Sequence, residues 1–344
     1  MKKRVFVAMS GGVDSSVTAA LLKEQGYDVT GIHMRCYNVD GCAETDAEDA
    51  RRAAETIGIP FYTFNFEEEY KEKVVGYMVE GYRKGITPNP DVMCNREIKF
   101  GLFLKKSLLL GADYIATGHY IKIKKSGKLS RLFQAKDSNK DQSYFLWTLT
   151  QNDLNKCLFP LGNYTKPQVR KLAKKFNLPN AEKKDSQGIC FLGKVTLSDF
   201  LKSYIPSRKG VIVNTKGEEL GTHEGATYYT IGQRHGLGIG GGAPLYVAKK
   251  DVKRNVLVVA EGDKNPALYQ EEVSLTHVNL IKKKYPKVVL ARVRYRQPLF
   301  EAKLSKAKNS YVLSFKKPQK FVAKGQSSVF YTKAGEMIGG GIIA

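Results

Sequence analysis

Ser10-Gly11-Gly12-Val13-Asp14-Ser15 is the stretch that decides the fold of the first part of the chain. It follows an apolar run at residues 4–9 that is rich in β-forming side chains, as is typical of a buried parallel strand. Apolar residues at 13, 17, 20 and 21 share one face of a helix, which Gly26 is suited to end. The stretch is therefore predicted to be a glycine turn between a strand and a helix. Two adjacent glycines let a ligand approach the backbone, and the N–H groups of the first helical turn bind an anion, most often phosphate.

The turn is not a Walker A loop, because no lysine follows the glycines and the chain contains no G-x-x-x-x-G-K-[ST]. It resembles the SGGxDS signature of the PP-loop ATP pyrophosphatases. That resemblance implies that the loop holds the pyrophosphate part of ATP and that the enzyme adenylates a carbonyl oxygen, with release of pyrophosphate. The alternative is a serine-rich turn that caps a helix and binds no ligand. The complete motif, framed by a strand and a helix, favours the nucleotide.

Strands alternate with helices through the first part of the chain. We predict strands at 28–34, 61–66 and 113–117, and helices at 44–57, 67–83 and 95–110. This order predicts an α/β fold with a doubly wound parallel sheet, in which ligands bind beyond the carboxyl ends of the strands. Ser10, Met34 and the pair Gly118-His119 follow such ends. Met34 is suited either to contact an adenine ring or to fill the core.

The rest of the chain changes character twice. Residues 140–203 are predicted to form a helical extension, with helices at 142–149 and 166–176. From about residue 208, β-rich runs alternate with glycine turns, and we predict strands at 211–213, 226–231, 245–248 and 256–259. The last part is predicted to be a small antiparallel barrel, with strands at 288–295, 310–315 and 327–331. The expected domains are 1–205 (PP-loop domain with its helical extension), 206–275 (central β domain) and 276–344 (basic β-barrel).

The net charge of +23 points to a polyanionic partner, nucleic acid first. Residues 276–344 contain 15 Lys and Arg residues against 2 acidic residues, a net charge of +13. Arg292, Arg294 and Arg296 alternate along the predicted strand and would share one face, with Tyr295 on the other. Such a face suits phosphate groups. The alternatives are a solvated sheet edge protected by charge and a general bias of the organism's proteins towards lysine.

Two of the five cysteines lie where a reactive thiol is expected. Cys94 follows a rigid turn with two prolines, near the start of the helix predicted at 95–110, where basic neighbours would favour a partial thiolate. Asp91 on the same turn is a candidate general acid or base. Cys190 lies in a polar, glycine-containing loop at 184–193. Structural packing is the alternative for any single cysteine, and it is favoured for Cys36, Cys42 and Cys157.

The spacing of cysteines and histidines does not indicate a metal site. The chain contains no C-x-x-C, H-x-x-E-H or H-x₃-H pattern, so neither structural zinc nor an iron–sulfur cluster is expected. No run of 18 apolar residues predicts a membrane span, and the short apolar run at 4–9 ends in the glycine turn, so no signal peptide is expected. An odd number of irregularly spaced cysteines is typical of a reducing compartment. We expect a cytoplasmic monomer.

Six motifs carry a more specific resemblance. They are SGGVDS at 10–15, TPNPDVMCN at 87–95, ATGHY at 116–120, KDQSYFLW at 140–147, DSQGICFLG at 185–193 and YTIGQRHGLGIGG at 229–241. Together they resemble the tRNA-specific 2-thiouridylase family (MnmA/TrmU), in the family's order and over most of the chain. The C-terminal barrel matches mainly by position and by Arg294-Tyr295.

The resemblance implies ATP-dependent adenylation of the C2 carbonyl oxygen of the wobble uridine in tRNAs for Lys, Glu and Gln. ATP, with Mg²⁺, would be bound by Ala8, Met9, Ser10, Gly11, Gly12, Val13, Asp14, Ser15, Met34 and Gly118. Cys190 would carry a persulfide supplied by a cysteine desulfurase or a sulfur-relay protein, and its terminal sulfur would attack C2 with loss of AMP. Cys94 would then release the sulfur by closing a Cys94–Cys190 disulfide, which must be reduced.

The resemblance also implies which residues contact tRNA. Asn89, Pro90 and Asp91 would contact the flipped base, with Asp91 as the acid or base. The remaining contacts would come from His119, Lys140, Asp141, Gln142, Arg294, Tyr295 and Gln326. The chemistry is consistent, because adenylation converts a carbonyl oxygen into a good leaving group and two cysteines allow sulfur transfer by disulfide closure. Extraction of a base from an anticodon loop also requires a large basic surface.

Two other functions fit parts of the sequence. Another PP-loop ligase, such as an amidating synthetase that acts on a small carboxylate, would need neither Cys94 and Cys190 nor the charge of the last domain. A non-catalytic RNA-binding protein or tRNA chaperone would not need Asp14.

Overall fold

A five-stranded parallel sheet forms the centre of the first domain. The computed structural model describes residues 2–37, 42–127, 129–184, 191–193, 195–240, 242–308 and 310–344. The strands of this domain are β1 (Arg4–Ala8), β2 (Asp28–Arg35), β3 (Phe61–Asn65), β4 (Tyr114–Ala116), β5 (Lys122–Ser126), β6 (Leu129–Phe133) and β7 (Cys157–Leu158). The sheet has the order β3-β2-β1-β4-β7 with every pair parallel, and β5 and β6 form a separate hairpin. The predicted α/β fold with a parallel sheet is confirmed.

Both faces of the sheet are buried. Phe6 and Ala8 of β1 belong to a large core formed with the helical residues 67–109. Val5 and Val7 belong to a second core, formed with the helices that follow β1 and β2. Successive side chains of a strand point to opposite faces, so this one short strand contributes to both cores. The apolar run that predicted a buried strand is explained by this two-sided burial.

Most of the helices lie between the sheet strands in the order of the chain. Their bounds are α1 (Val13–Glu24), α2 (Cys42–Ile57), α3 (Glu67–Tyr70), α4 (Gly76–Arg83), α5 (Pro90–Met93), α6 (Leu104–Leu109), α7 (Gln151–Asn155), α8 (Lys166–Lys175) and α9 (Leu197–Lys202). π-Helical segments at Lys71–Val75 and Cys94–Phe103 join α3 to α4 and α5 to α6, and 3-10 turns lie at Ser143–Leu146 and Pro160–Asn163. The helices predicted at 67–83 and 166–176 are confirmed, and the one predicted at 95–110 begins earlier, at Pro90.

The helix predicted at 142–149 is wrong, because only Ser143–Leu146 form a short 3-10 turn. The amide nitrogen of Asn279 donates hydrogen bonds to the carbonyl oxygens of Trp147 and Leu149, at 2.7 and 2.9 Å. In a helix ending at residue 149 these two carbonyl oxygens would have no partner within the helix, and the Asn279 side chain satisfies them from the barrel. The apolar spacing that suggested a helix instead anchors this segment in the core.

A small four-stranded sheet forms the central domain. Its strands are β8 (Gly210–Asn214), β9 (Glu219–His223), β10 (Leu245–Asp251) and β11 (Val256–Glu261), in the order β10-β11-β8-β9. The strands predicted at 211–213, 245–248 and 256–259 are confirmed. The strand predicted at 226–231 is wrong, because Ala226–Tyr228 form a 3-10 turn. The Ala226 N–H is bound by Asn255 Oδ1 at 3.0 Å, and the Tyr228 hydroxyl donates to the Ile205 carbonyl oxygen at 2.7 Å.

A closed six-stranded antiparallel barrel forms the last domain, as predicted. Its strands are β12 (Tyr269–Leu280), β13 (Val288–Arg292), β14 (Phe300–Lys306), β15 (Tyr311–Lys320), β16 (Ser327–Tyr331) and β17 (Met337–Ile343), in the order β12-β15-β14-β13-β16-β17. Strand β12 crosses the boundary expected between 275 and 276, so the barrel begins earlier, at Tyr269. The first half of β12 is polar and mostly exposed. The pattern of apolar residues therefore did not predict this strand.

Buried polar contacts hold the barrel against the first domain. Trp147 Nε1 donates to Ser327 Oγ at 3.0 Å, and the Tyr144 hydroxyl donates to the Ser327 carbonyl oxygen at 2.8 Å. On β6, the guanidinium of Arg131 donates two hydrogen bonds to the carboxylate of Glu336, at 2.7 and 2.6 Å. Glu336 is buried at the base of β17. The hairpin and the 3-10 turn of the first domain therefore share one interface with the barrel.

Gly340 allows this interface to close, and we expect Gly340→Ala to destabilise the protein. A Cβ atom at Gly340 would lie 2.6 Å from Trp147 Cγ, so the indole or the strand must shift. Overpacking of this kind costs about 1–3 kcal/mol. Thermal and urea unfolding measure the loss. The matched control is Gly240→Ala, where a Cβ atom meets nothing within 4 Å; equal stability of the two variants would contradict the packing described here.

Candidate active site

The glycine turn closes on itself through its serines. Gly11 has a φ of +75°, and α1 begins at Val13 with Gly12 as its N-cap. The Ser15 hydroxyl donates to the Gly12 carbonyl oxygen at 3.0 Å and accepts from the Ser10 N–H at 3.2 Å. The first N–H groups of a helix have no acceptor within the helix, and here they open at the carboxyl edge of the sheet. The predicted arrangement of strand, glycine turn and helix is confirmed.

Two glycines make room around this turn. A Cβ atom at Gly118 would lie 2.9 Å from the Ser15 backbone nitrogen, and one at Gly11 would lie 2.3 Å from the Asp46 carbonyl oxygen. Gly118 follows the end of β4, so the end of that strand lies directly against the first turn of α1. A side chain at Gly118 would cover the helix N-terminus. The two glycines thus let main-chain atoms pack closely around the turn, and we call this arrangement of residues 10–15 and 118 the cradle.

The residues predicted to bind ATP contribute in different ways. The side chains of Ala8, Met9 and Val13 are buried in the core, so only their backbone can face a ligand. Met34 lies near the end of β2, partly buried against the large core. Its contact with an adenine ring remains a prediction.

Asp14 is the acidic side chain of the turn, and two distant residues hold it. Lys166 Nζ lies 2.8 and 2.9 Å from the two carboxylate oxygens of Asp14. The Tyr120 hydroxyl donates to Asp14 Oδ1 at 2.7 Å. Sequence analysis did not identify Lys166, which lies 152 positions from Asp14. Only the three-dimensional fold brings these residues together.

A second segment that sequence analysis missed clamps the glycine turn to α2. The Asn180 amide donates to the Gly11 carbonyl oxygen and to Ser16 Oγ, both at 2.9 Å. Lys183 Nζ pairs with the carboxylates of Asp46 and Asp49 on α2, at 2.7 and 2.6 Å. The segment 180–183 therefore fixes the outer wall of the turn.

Cys190 and the rest of the loop 185–190 lie outside the described residues. The residues on either side of this loop are attached to the first domain. Lys183 pairs with α2 as described above, and Phe191 is buried in the large core, with ring centroids 5.7 Å from Tyr70 and 5.4 Å from Phe200. The chain therefore enters and leaves the loop at defined positions of the first domain.

The proline turn is held from two sides. Asn89 Oδ1 accepts the Val92 N–H at 3.1 Å and caps α5. From the barrel, Gln326 Nε2 donates to the carbonyl oxygens of Thr87 and Pro88, at 3.0 and 3.2 Å. Gln326, which the resemblance placed at the tRNA, thus uses its amide group to fix the backbone of this turn. The barrel positions a part of the site that belongs to the first domain.

Cys94 is buried and lies one turn inside the helix. Helix α5 begins at Pro90, and the Cys94 N–H is bonded to carbonyl oxygens within that helix. The expectation that Cys94 lies at a helix N-terminus is therefore wrong. Cys94 instead begins the π-helical segment Cys94–Phe103, and π-helical segments occur frequently at functional sites. The wider turn changes the direction of the side chains that follow.

Burial perturbs the two titratable groups beside this turn. It raises the pKa of the Asp91 carboxyl, and the Lys99 ammonium partly opposes the rise. It lowers the pKa of His119 well below the usual value, and Lys99 lowers it further. His119 Nδ1 lies 2.7 Å from Thr117 Oγ1, and the ring packs between two phenylalanines. The His119 imidazole is therefore neutral at pH 7 and does not act as a cation towards a phosphate.

Residues 141 and 142 support the fold. Asp141 is buried, and its carboxylate accepts the Ala135 N–H at 3.0 Å and the Ser143 hydroxyl at 2.8 Å. Gln142 Oε1 accepts the Tyr120 N–H at 3.0 Å. These internal hydrogen bonds occupy the side chains that the resemblance assigned to tRNA. The contact predicted for Lys140, which is partly buried, stays a prediction.

The basic face predicted from Arg292, Arg294 and Arg296 does not form. Strand β13 ends at Arg292, whose side chain is buried with its guanidinium over the Tyr331 ring. Arg296 has a φ of +63°, in the turn that follows. The alternation of a strand does not continue into a turn, so the three guanidinium groups cannot share one face.

Arg294 and Tyr295 lie where the three domains meet. Arg294 donates to the carbonyl oxygen of Ile231 in the central domain at 2.5 Å. The Tyr295 ring packs on Phe145 of the first domain, with centroids 4.4 Å apart. Both side chains therefore connect domains. Tyr295 is only partly buried, so part of its ring is accessible to a ligand.

The strand end at 117–120 connects the glycine turn to the proline turn. Gly118 lies against α1, and His119 lies beside the helix that carries Asp91 and Cys94. The strand end therefore contacts both the first turn of α1 and, through Phe100, the π-helical segment that begins with Cys94.

No helix within the described ranges is long and apolar enough to span a membrane. Among the same residues, no three His, Cys, Asp or Glu side chains form a group suited to bind a metal ion.

Three family models match successive ranges of the chain. Their descriptions are "tRNA methyl transferase HUP domain" for residues 3–194, "tRNA methyl transferase PRC-barrel domain" for residues 198–261 and "Aminomethyltransferase beta-barrel domain" for residues 270–343. The first range covers the parallel sheet, the second the central sheet and the third the closed barrel.

Curated relatives match nearly the whole chain. The tRNA-specific 2-thiouridylase MnmA 1 of Geobacillus kaustophilus is 49% identical over 342 residues, which cover 96% of this chain and 92% of the relative. The tRNA-specific 2-thiouridylase MnmA of Pseudomonas entomophila is 47% identical, with coverage of 99% and 95%. That of Shouchella clausii is also 47% identical, with coverage of 100% and 98%.

We expect Asp91→Asn to stabilise the fold at neutral pH. Because folding raises the pKa of this carboxyl, ionising Asp91 costs more in the folded than in the unfolded chain. Asparagine has the same shape and cannot ionise. The gain in unfolding free energy should be largest above the folded-state pKa and should vanish as the pH falls below the usual aspartate value of 3.8.

Urea unfolding from about pH 8 to about pH 3 measures this difference. Asp113→Asn is the matched control, because the Arg4 backbone and Lys3 lower the pKa of Asp113. That variant should lose stability at neutral pH, the opposite sign. An Asp91→Asn variant that is less stable than the parent at pH 7 would contradict the raised pKa of Asp91 in the folded chain.

Proposed function

The chain belongs to the tRNA-specific 2-thiouridylase family, and from this premise we propose that it converts the wobble uridine of tRNA to 2-thiouridine, using ATP and a protein-bound persulfide. The observation that carries the proposal is the contact between the glycine turn and the strand end that carries Gly118 and His119. Through His119, that strand end also contacts Phe100 of the helical segment that begins with Cys94. A simple nucleotide-binding protein would not need that neighbour.

ATP is the phosphorylated substrate that suits the cradle. The N–H groups at the start of α1 favour the pyrophosphate part. Gly12 leaves the backbone open to it, because a Cβ atom there would meet only Ser10 Oγ, at 3.5 Å. Mg²⁺ would accompany the nucleotide and neutralise phosphate charge. Attack of the uridine C2 oxygen on the α-phosphorus then releases pyrophosphate. The oxygen leaves C2 as part of AMP, which is a far better leaving group than oxide.

Cys190 and Cys94 divide the sulfur transfer. The terminal sulfur of a Cys190 persulfide attacks C2, AMP departs, and the sulfur now bridges C2 and Cys190 Sγ. The Cys94 thiolate attacks Cys190 Sγ, which breaks the bridging S–S bond and leaves the terminal sulfur on C2 as the thiocarbonyl. The two protein sulfurs form a disulfide, and an external thiol reductant must reduce it. The persulfide sulfur gains the two electrons that the cysteines lose.

Asp91 is the proposed acid–base group. The uridine N3 proton must leave when O2 is adenylated and must return when the thiocarbonyl forms. A carboxyl group whose pKa is raised by burial is a stronger base than an ordinary aspartate and can take and return this proton. Asn89 and Pro90 would contact the same base, because Asn89 is fixed as the cap of α5.

A tRNA substrate accounts for the charge of the chain. The net charge is +23, and residues 276–344 contribute +13 of it. We propose tRNAs for Lys, Glu and Gln as substrates and a cysteine desulfurase or sulfur-relay protein as the persulfide donor, in the cytoplasm, with the enzyme as a monomer. Lys140 and the exposed part of Tyr295 are proposed direct contacts. Asp141, Gln142, Arg294 and Gln326 would act through the loops that they hold.

We expect the two cysteines to give different products when replaced. Cys190→Ser should release pyrophosphate in the presence of tRNA and ATP but form no 2-thiouridine. Cys94→Ser should accumulate tRNA joined to Cys190 by a disulfide, because the attacking thiol is missing. Mass spectrometry of tRNA nucleosides and a gel run with and without dithiothreitol measure both outcomes.

Cys157→Ala is the matched control for these variants. Cys157 is buried in β7, and burial raises the pKa of its thiol, so it should not react. Full thiolation by Cys190→Ser would exclude the persulfide route. If neither the unaltered chain nor any of these cysteine variants releases pyrophosphate, the glycine turn has a different function.

We expect the affinity for tRNA to fall steeply with salt, because binding releases counterions from phosphates. Titration of labelled tRNA at several potassium chloride concentrations gives the slope of log K against log salt. For single strands, each neutralised phosphate contributes about −0.7 to that slope. A flat dependence would remove the charge argument and would favour a small substrate, as for an amidating synthetase.

A further inference from the structure

A cavity of about 480 Å³ opens at one end of the barrel. Its wall comes from the start of β12, the turn between β13 and β14, and the end of β15. Because neighbouring strands of this barrel are antiparallel, these three segments meet at the same end. A volume of this size lies within the range of small-ligand sites, about 300–1,000 Å³. The reaction proposed above assigns no role to this cavity.

The wall combines aromatic rings with cations and contains no carboxylate. Its aromatic residues are Tyr269, Tyr295, Phe300 and Phe321, and its cations are Arg294, Arg296 and Lys320. Lys320 is paired with Asp263 at 2.9 Å, and Arg294 is bonded to a carbonyl oxygen of the central domain. Arg296 is exposed, with its guanidinium 5.4 Å from the centre of the Tyr295 ring. Aromatic faces and positive charge together suit a nucleotide, whose base stacks and whose phosphate pairs with the cation.

Gln319 adds a buried hydrogen-bond acceptor to this wall. Its side chain is 1% exposed, and its Nε2 donates to the Lys317 carbonyl oxygen at 2.7 Å. This hydrogen bond fixes the orientation of the amide, so the remaining polar atom, Oε1, can only accept. Within the described part of the chain, Oε1 has no hydrogen-bond partner. A buried acceptor without a donor costs free energy, which is explained where a ligand supplies the donor.

Backbone strain is concentrated in the same wall. Arg296 has a φ of +63° and Phe321 a φ of +59°, in the left-handed region that favours glycine. Two of the five non-glycine residues with such a φ in the described ranges therefore line this one cavity. Conformations of this kind cost free energy and collect at ligand sites. The Phe321 ring is also fixed from the central domain, because a Cβ atom at Gly232 would lie 2.4 Å from Phe321 Cγ.

A short series of contacts connects the cavity to the proline turn. The Tyr295 ring lies 5.7 Å from the Tyr144 ring, centre to centre. The Tyr144 hydroxyl donates to the Ser327 carbonyl oxygen, and the preceding residue, Gln326, holds the backbone of the turn. An RNA loop whose target base enters the turn therefore has a path along these contacts to the cavity.

We propose that the cavity binds an unpaired nucleotide of the tRNA other than the target uridine, with Gln319 Oε1 accepting a hydrogen bond from the base and Arg296 pairing with a phosphate. This inference rests on the proposed tRNA substrate. Proteins read unpaired RNA bases by stacking and by hydrogen bonds to the base edges. Because Oε1 accepts only, the base must present an N–H group at this point. The enzyme thereby gains a second base contact, through which the sequence of the loop affects binding.

Binding of tRNAs that each lack the base at one unpaired position tests the proposal in the full chain. We expect one position besides the target uridine to lower the affinity by roughly tenfold, the value of a stacked base. Gln319→Leu should bind intact tRNA about threefold to tenfold more weakly, the value of one hydrogen bond. With the tRNA that lacks the critical base, the unaltered chain and Gln319→Leu should bind equally. Fluorescence anisotropy of labelled tRNA measures all these affinities.

Gln270→Leu is the matched control, since Gln270 is exposed on the neighbouring strand opposite Gln319 and does not line the cavity. It should bind every tRNA as the unaltered chain does. Gln319→Leu should keep the thermal stability of the parent, because it removes an unpaired buried acceptor and leaves the carbonyl oxygen of the exposed Lys317 to water. If Gln319→Leu loses the same factor with every tRNA, whichever base is missing, the proposal is overturned, because the amide then has a structural role.

Arg296→Gly tests the phosphate contact without straining the backbone, because glycine adopts the left-handed conformation readily. We expect the slope of log K against log salt to become shallower by about 0.7, the contribution of one phosphate. An unchanged slope would overturn the role of Arg296. If the unaltered chain binds no tRNA, the proposed function itself fails, and this inference fails with it. If the unaltered chain thiolates tRNA and no base besides the target affects its binding, only this inference fails.

Discussion

The close approach of Gly118 to the first turn of α1 is the constraint on which the site depends. The distance from a Cβ atom at this position to the Ser15 nitrogen would be 2.9 Å, so β4 can end here only without a side chain. This contact joins two parts of the first domain that are about a hundred residues apart. On one side lies the cradle of α1, and on the other lies His119, beside the helix that carries Asp91 and Cys94. Parallel strands end at one edge of a sheet, which explains why both parts open in the same direction.

The barrel completes the site from outside the first domain. Gln326 binds two carbonyl oxygens of the proline turn, and the Lys324 carbonyl oxygen accepts the Thr87 N–H at 2.7 Å. The next residue, Ser327, begins β16 and accepts hydrogen bonds from Trp147 and Tyr144. A rotation of the barrel would therefore move the turn that carries the proposed base contacts. The barrel, whose residues 276–344 carry a net charge of +13, is thus coupled mechanically to the proline turn of the first domain.

Burial determines the chemical character of several side chains that sequence motifs identify. The motif residues Asp141, Gln142 and Arg294 bind other parts of the chain and thereby fix loops. Burial lowers the pKa of His119 and raises the pKa of Asp91, since it disfavours the charged form of each group. A polar residue in a functional motif therefore acts either directly or by holding a neighbour in place, and its hydrogen bonds distinguish the two roles.

The sequence by itself determined the parallel sheet, the glycine turn, the closed barrel and the family, because apolar periodicity, paired glycines and ordered motifs are local signals. It misplaced the helix at 142–149 and the strand at 226–231, because contacts with distant residues, among them Asn279 and Asn255, hold these segments in other conformations. It also placed Cys94 at a helix N-terminus that lies one turn earlier. Only the tertiary structure identified Lys166 as the partner of Asp14 and Asn180 as the clamp on Gly11. Side-chain pairing across 152 and 169 positions leaves no local pattern, since it arises from the packing of α8 and the segment after it on α1.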